Sequence, residues 1–234
     1  MTGPFLSADQ RDILRAMEIP VWIQRQSQPV ADSIVDPLVD QEGGDAVVSG
    51  WAGFEEEVAA CTRCGLHRSR TQTVFGVGNR TAEWMVIGEA PGMDEDRLGE
   101  PFVGKAGKLL NEMLRAVGLA REDVFIANIL KCRPPSNRDP EPAEVEACAG
   151  YLNRQIELVS PRLILAVGRI AAQNLLQVDS PVGKLRGTVH RYGRGNIPVI
   201  VTYHPAYLLR SPAQKRKAWA DLCLARRIAD ESES

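Results

Sequence analysis

The sequence predicts an α/β domain built on a parallel sheet with helices over both of its faces. Three observations carry that expectation. Four short apolar runs, 84–88 (WMVIG), 124–128 (VFIAN), 163–167 (LILAV) and 198–202 (PVIVT), are rich in β-formers and lack polar alternation. Strands buried on both faces read that way. Helical patterns at 106–117, 142–159 and 168–177 separate the runs, and strand–helix alternation is how parallel sheets are wound. Lastly, residues 51–228 are enough chain for a single core, at a composition of 44% hydrophobic and 25% charged residues that is ordinary for a globular protein.

Taken in order, the chain opens with Ser7 to about Met17, an amphipathic helix whose start is marked by Ser7 with Gln10 three positions on. Residues 26–50 are acidic, rich in Pro and Gly, and aperiodic, the composition of a flexible linker. Residues 1–50 are thus an N-terminal helix and linker, 51–228 the folded domain and 229–234 a disordered tail. Inside the domain, GEAPG follows the first strand, Asn128 closes the second before KCRPPSNR, a Gly-Arg helix start follows the third, and YHP follows the fourth. Open parallel sheets bind ligands outside the carboxyl ends of their strands. These unusual residues therefore converge on one rim, although they lie far apart in sequence. No apolar stretch reaches the roughly 18–20 residues of a membrane span, and the N-terminus lacks a secretory pattern, so a cytoplasmic address is expected.

The net charge of −2 hides an uneven distribution. Residues 1–57 carry 11 acids and 3 bases, a net −8, whereas 184–227 carry 10 bases against the single acid Asp221, a net +9. A basic segment on a near-neutral chain is the footprint of a phosphate-backbone surface or of a solvated helix face.

Four of the five cysteines fall as Cys61-x2-Cys64, then Cys132, then Cys148. A tight pair with two distant thiols suits zinc or an iron–sulfur cluster, and the neighbouring Arg and Lys residues lower the cost of thiolates. Cys223, in the apolar stretch AWADLCLA, reads as plain core. GEPFVGKA at 99–106 nearly matches a phosphate-binding loop, but Ala106 replaces the hydroxyl that would bind magnesium and a polar run precedes it. Nucleotide hydrolysis is rejected on those grounds. His204 stands directly after a buried strand, and Asn128 offers a donor and an acceptor side by side. Phe102 sits in a Gly-Pro loop as either an anchor or a stacking platform. Glu89, Asp94, Glu95 and Asp96 cluster around the first loop, where acid repels a DNA backbone, so at least one of them needs a specific task.

The segments GEAPGMDED (88–96), GEPFVGKAGKLL (99–110), NILKCRPPSNR (128–138) and TYHPAYLLR (202–210), with the four cysteines, occur together and in order. This set resembles the family 4 uracil-DNA glycosylases over roughly residues 54–226. The resemblance implies a three-layer α/β/α fold around a four-stranded parallel sheet, and a 4Fe–4S cluster on Cys61, Cys64, Cys132 and Cys148. It implies hydrolysis of the bond between uracil and deoxyribose in DNA, single- or double-stranded, by a monomer. Residue by residue, it implies that Phe102 stacks on the flipped uracil, Asn128 reads its O4 and N3–H edge, and His204 donates to O2. Glu89 then positions water or stabilises the sugar cation, and Glu95 crowds C5 against thymine's methyl group. Leu208 or Leu209 fills the vacated stack, while Arg186, Arg210 and Lys215 with its basic neighbours contact phosphates. A related subfamily that bonds covalently to the sugar carries a basic, histidine-containing insertion before the last helix. Here that stretch, LLRSPAQ, is short and holds no histidine, which implies turnover. A non-catalytic iron–sulfur protein that binds single-stranded DNA or a replication partner, and a zinc-stabilised nucleotide-binding domain, compete with this reading. The first of these does not need Phe102, Asn128 and His204 to meet.

Overall fold

The structure, a computed structural model, describes residues 50–231; the helix and linker expected over 1–49 lie outside the described residues. Its elements in chain order are α1 (Phe54–Ala59), β1 (Val77–Gly78), β2 (Trp84–Gly88), α2 (Met93–Leu98), α3 (Lys105–Ala116), β3 (Phe125–Asn128), α4 (Pro142–Val159), β4 (Leu163–Val167), α5 (Arg169–Leu176), α6 (Val182–Leu185), β5 (Val189–Tyr192), β6 (Ile197–Thr202), α7 (Pro205–Arg210) and α8 (Lys215–Glu231).

The sheet is six-stranded and mixed, in the order β1-β3-β2-β4-β6-β5. This corrects the four-stranded parallel sheet expected from the sequence. The four apolar runs do form β2, β3, β4 and β6, paired in parallel. An antiparallel strand is added at each edge, β1 on β3 and β5 on β6. Neither added strand could show as a fully apolar run. β1 is two residues long, and β5 (VHRY) alternates between exposed and half-buried positions because it is an edge.

Every residue of β2, β3 and β4 is buried, and alternate residues feed opposite cores. Met85, Ile87, Phe125, Ala127, Ile164 and Ala166 pack with Phe54, Tyr151, Leu152 and Ala172 on one face. Trp84, Val86, Ile126, Leu163 and Leu165 pack with Leu110, Leu114, Leu222 and Ala225 on the other. Burial of each such large side chain contributes about 1.5–3 kcal/mol. The sheet is therefore rigid, and its carboxyl rim is a fixed platform for the loops.

α4 begins where Pro142 occupies the first turn and Glu144 accepts from the Glu141 N–H. α8 continues three residues into the stretch read as tail. The stripe Asp221, Leu222, Ala225, Ala229 keeps helical spacing, and Ala229 is still buried. Fully buried Asp221 accepts from Thr202 Oγ1 of β6 at 3.0 Å and from Arg186 at 2.8 and 3.0 Å. Among the described residues, no helix is long and apolar enough to cross a membrane.

Candidate active site

Glu89 directly follows β2, Asn128 closes β3, His204 follows β6, and Phe102 lies in the loop before α3. All four line one cleft of about 470 Å³ at the carboxyl rim of the sheet, together with Glu95 and Arg210. This is the convergence the strand ends predict.

The backbone brings these groups close. Phe102 has φ 54°, a left-handed conformation that few residues other than glycine adopt. Two glycines make room for it. A Cβ on Gly107 would stand 1.7 Å from the Phe102 carbonyl oxygen. One on Gly88 would stand 2.5 Å from Asn128 Oδ1 and 2.6 Å from Phe102 Cζ. The Phe102 ring lies 5.5 Å from that of His204, tilted by 28°.

Asn128 is 3% exposed, and its amide makes no side-chain hydrogen bond among the described residues. It lines the cleft, where it presents a donor and an acceptor side by side. Its backbone carbonyl accepts from Lys131 Nζ at 2.9 Å, and that ammonium also donates to Gln155 Oε1 at 2.6 Å. Burial pushes Lys131 down to about 8, opposed by the neighbouring Cys148 and Cys132.

His204 caps α7, with Nδ1 accepting from the Ala206 N–H at 3.1 Å. That bond leaves the proton of the neutral ring on Nε2. Burial, with help from Arg210 and against Glu95, pushes the imidazole down to about 4. It is a neutral donor at neutral pH. Burial and then Asp139 raise the Glu89 carboxyl, and Arg169 opposes them. Glu89 is therefore the more basic for being held there.

Both carboxylate oxygens of Glu95 are committed, one to the Gly92 N–H and one to the Val103 N–H, each at 3.1 Å. Glu95 staples two loops of the cleft together. Asp96 is buried and accepts from the Thr71 N–H and hydroxyl. These two account for acid beside a basic surface.

The residues expected on DNA divide. Leu208 is 1% exposed and packs in the core, whereas Leu209 is 44% exposed. Of the two leucines expected as a wedge, Leu208 is thus buried away from DNA and Leu209 alone is exposed. Arg186 is also corrected: its guanidinium is spent on Asp221 and the Lys217 carbonyl, so it neutralises a buried acid. Arg210 and Lys215 are exposed, and Arg210 also borders the cleft. Among the polar side chains of the cleft, Tyr207 and Asn137 were not expected from the sequence. Tyr207 stands one helical turn after His204, and Asn137 has φ 54° in the Pro-rich loop. The turn spacing and asparagine's tolerance of that conformation were the available signals.

Cys61, Cys64, Cys132 and Cys148 line a second cavity, which Lys131 also lines. The Arg63 N–H lies 3.5 Å from Cys61 Sγ, the Lys131 N–H 3.3 Å from Cys148 Sγ, and Arg70 Nη1 3.1 Å from Cys132 Sγ. Burial raises Cys132 to about 11 and also raises Cys148, with Arg70 and Lys131 respectively opposing. Among the described residues, no three side chains of metal-binding type lie close enough to share one ion. The sulfurs instead surround a common space. Cys223 lies outside it, on α8.

Residues 75–223 match the family model of the uracil DNA glycosylase superfamily. The chain is 49% identical over 172 residues to a type-4 uracil-DNA glycosylase of Archaeoglobus fulgidus, covering 70% of this chain and 86% of that one. It is 46% identical over 157 residues to a type-4 uracil-DNA glycosylase of Thermotoga maritima, covering 67% and 81%. A type-5 uracil-DNA glycosylase of Pyrobaculum aerophilum is 30% identical over 197 residues, covering 68% and 84%.

Proposed function

The chain belongs to the uracil DNA glycosylase superfamily, and from that premise we propose that it excises uracil from DNA and leaves an abasic site. Its relatives' names support the reaction. The observation that supports these particular residues in it is the shared cleft of Phe102, Asn128, His204 and Glu89.

In this reading the uracil nucleotide swings out of the stack and its base rests on Phe102. The 5.5 Å between the Phe102 and His204 rings is less than the about 7 Å that two stacking contacts require. The base therefore lies on Phe102 and meets His204 at its edge. The Asn128 amide accepts from N3–H and donates to O4. Cytosine presents the reverse pattern, and each mispaired group costs about 1–3 kcal/mol. As the bond from N1 to C1′ breaks, its electron pair passes into the ring and charge gathers on O2. The His204 Nε2–H donates there, a preorganised neutral donor that stabilises the departing anion. Water adds to C1′ with Glu89 beside it, the raised carboxyl taking up the proton that water sheds. Glu95 shapes the C5 side of the cleft through the loops it ties.

Leu209 enters the gap left by the base, and Arg210 and Lys215 meet phosphates on either single- or double-stranded DNA, with a salt-dependent affinity. The chain between α7 and α8 is a single residue followed by the turn Pro212–Gln214, with no histidine. The protein, acting as a monomer, turns over without a bond to the sugar.

The cysteine site fits an iron–sulfur cluster better than a zinc ion, because four thiols surround one space yet, among the described residues, no three of them lie close enough to share one ion. Cys61, Cys64, Cys132 and Cys148 would hold a 4Fe–4S cluster that orders the adjoining loops. The hydrolysis needs no electron transfer.

Incubation with a uracil-containing oligonucleotide followed by alkali should break the strand at uracil and leave a cytosine control intact. An unbroken strand at low salt would remove this reading.

A further inference from the structure

The base platform is held from outside the cleft. Phe102 lies in a left-handed backbone conformation, so its loop needs an external constraint. Arg121, in the short turn Arg121–Asp123 ahead of β3, supplies one. Its Nη2 donates to the Pro101 carbonyl at 2.6 Å, and its Nη1 donates to the Phe102 carbonyl at 3.4 Å and to Asn111 Oδ1 at 3.3 Å. One rigid fork thus holds two successive carbonyls of the loop and ties them to α3.

The same residue stands at the head of the strand that ends in Asn128. Phe102 and Asn128 meet across Gly88, where a Cβ would strike both. Their mutual spacing is set at one side by that bare glycine and at the other by the Arg121 fork. Arg121 is not among the residues lining the cleft.

We infer that Arg121 is a positioning residue, which fixes the Phe102 ring in register with the Asn128 amide and so governs how fast a bound uracil reaches the reactive pose. The inference rests on the uracil reading for its substrate, and on the loop geometry alone for its mechanics.

Two measurements test it. In single-turnover excision, Arg121→Ala should slow the rate at saturating protein by about 10- to 100-fold, as small misplacements do, with the half-saturating concentration unchanged. Arg121→Lys should restore part of that loss. In a Phe102→Ala background, adding Arg121→Ala should change the rate by no more than about 2-fold. Losses that multiply in the double variant would overturn the inference. In parallel, amide exchange at residues 102–104 should rise in Arg121→Ala while β2 and β4 keep their protection. Unchanged exchange would equally overturn it. Should Arg121→Ala lose protection throughout, Arg121→Gln decides: slow excision and fast loop exchange support the inference, and wild-type values in both defeat it. If the wild-type protein excises no uracil, the proposed function fails, and the exchange result still judges the clamp.

Discussion

Asn128 and Cys132 are four residues apart, yet they serve two sites built by opposite means. The cleft is shaped by backbone: a left-handed Phe102, a bare Gly88, and a Gly107 pressed against a carbonyl. Its Asn128 amide bonds to no other described side chain and faces the cleft. The cysteine site is shaped by side chains that seek partners, with N–H groups aimed at sulfurs whose burial disfavours charge. The first is finished before its ligand arrives. In the second, burial favours the neutral thiols of Cys132 and Cys148, a preference that a bound cation would reverse. Lys131 joins them, with its N–H on Cys148 and its ammonium on the Asn128 carbonyl.

The contrast is broken most directly at His204. Replacing it with Ala should slow excision by about 100- to 1000-fold, the usual cost of losing a donor at developing charge. DNA affinity and the absorbance of the cysteine site should stay as they are, and an equal loss of affinity would refute its assignment to the departing base. Next comes removal of the proposed cluster by oxidation and chelation. Losing a tightly held group forfeits about 4 kcal/mol, so the melting temperature should drop by about 10 °C as absorbance near 400 nm disappears. A melting curve indifferent to iron would show that the cysteine site carries no such burden. The smallest effect is in the pH profile. His204 is held near 4 in the fold against 6.5 free, so excision should show no titration around 6.5. Because the folded ring binds protons less readily than the unfolded one, its share of stability is whole above 6.5 and drains away as pH falls towards 4. A rate inflection at 6.5 that vanishes in His204→Ala would contradict a neutral donor.

How much of this was legible beforehand depended on which physical signal each part emits. β2, β3, β4 and β6 announce themselves because both their faces are buried, and the cleft follows from where they end. β5 does not, since an edge strand with a solvated face reads like a loop. Leu208 and Leu209 are chemically alike in sequence; only the phase of α7, set by its start at Pro205, buries one and exposes the other. Arg186 looked like part of a basic surface because charge was summed along the chain. The clue to its true partner was present in Asp221, the lone acid of that segment. Glu95 and Arg121 were harder still, because their partners are backbone groups of loops whose paths no periodicity describes.

The tie between Thr202 and Asp221 sets an order of assembly. His204 sits two residues beyond Thr202, and the carboxylate that secures Thr202 arrives only with the last helix. A growing chain can lay down its strands and its cysteine pair first, but the seat of the histidine is completed only once α8 has followed β6.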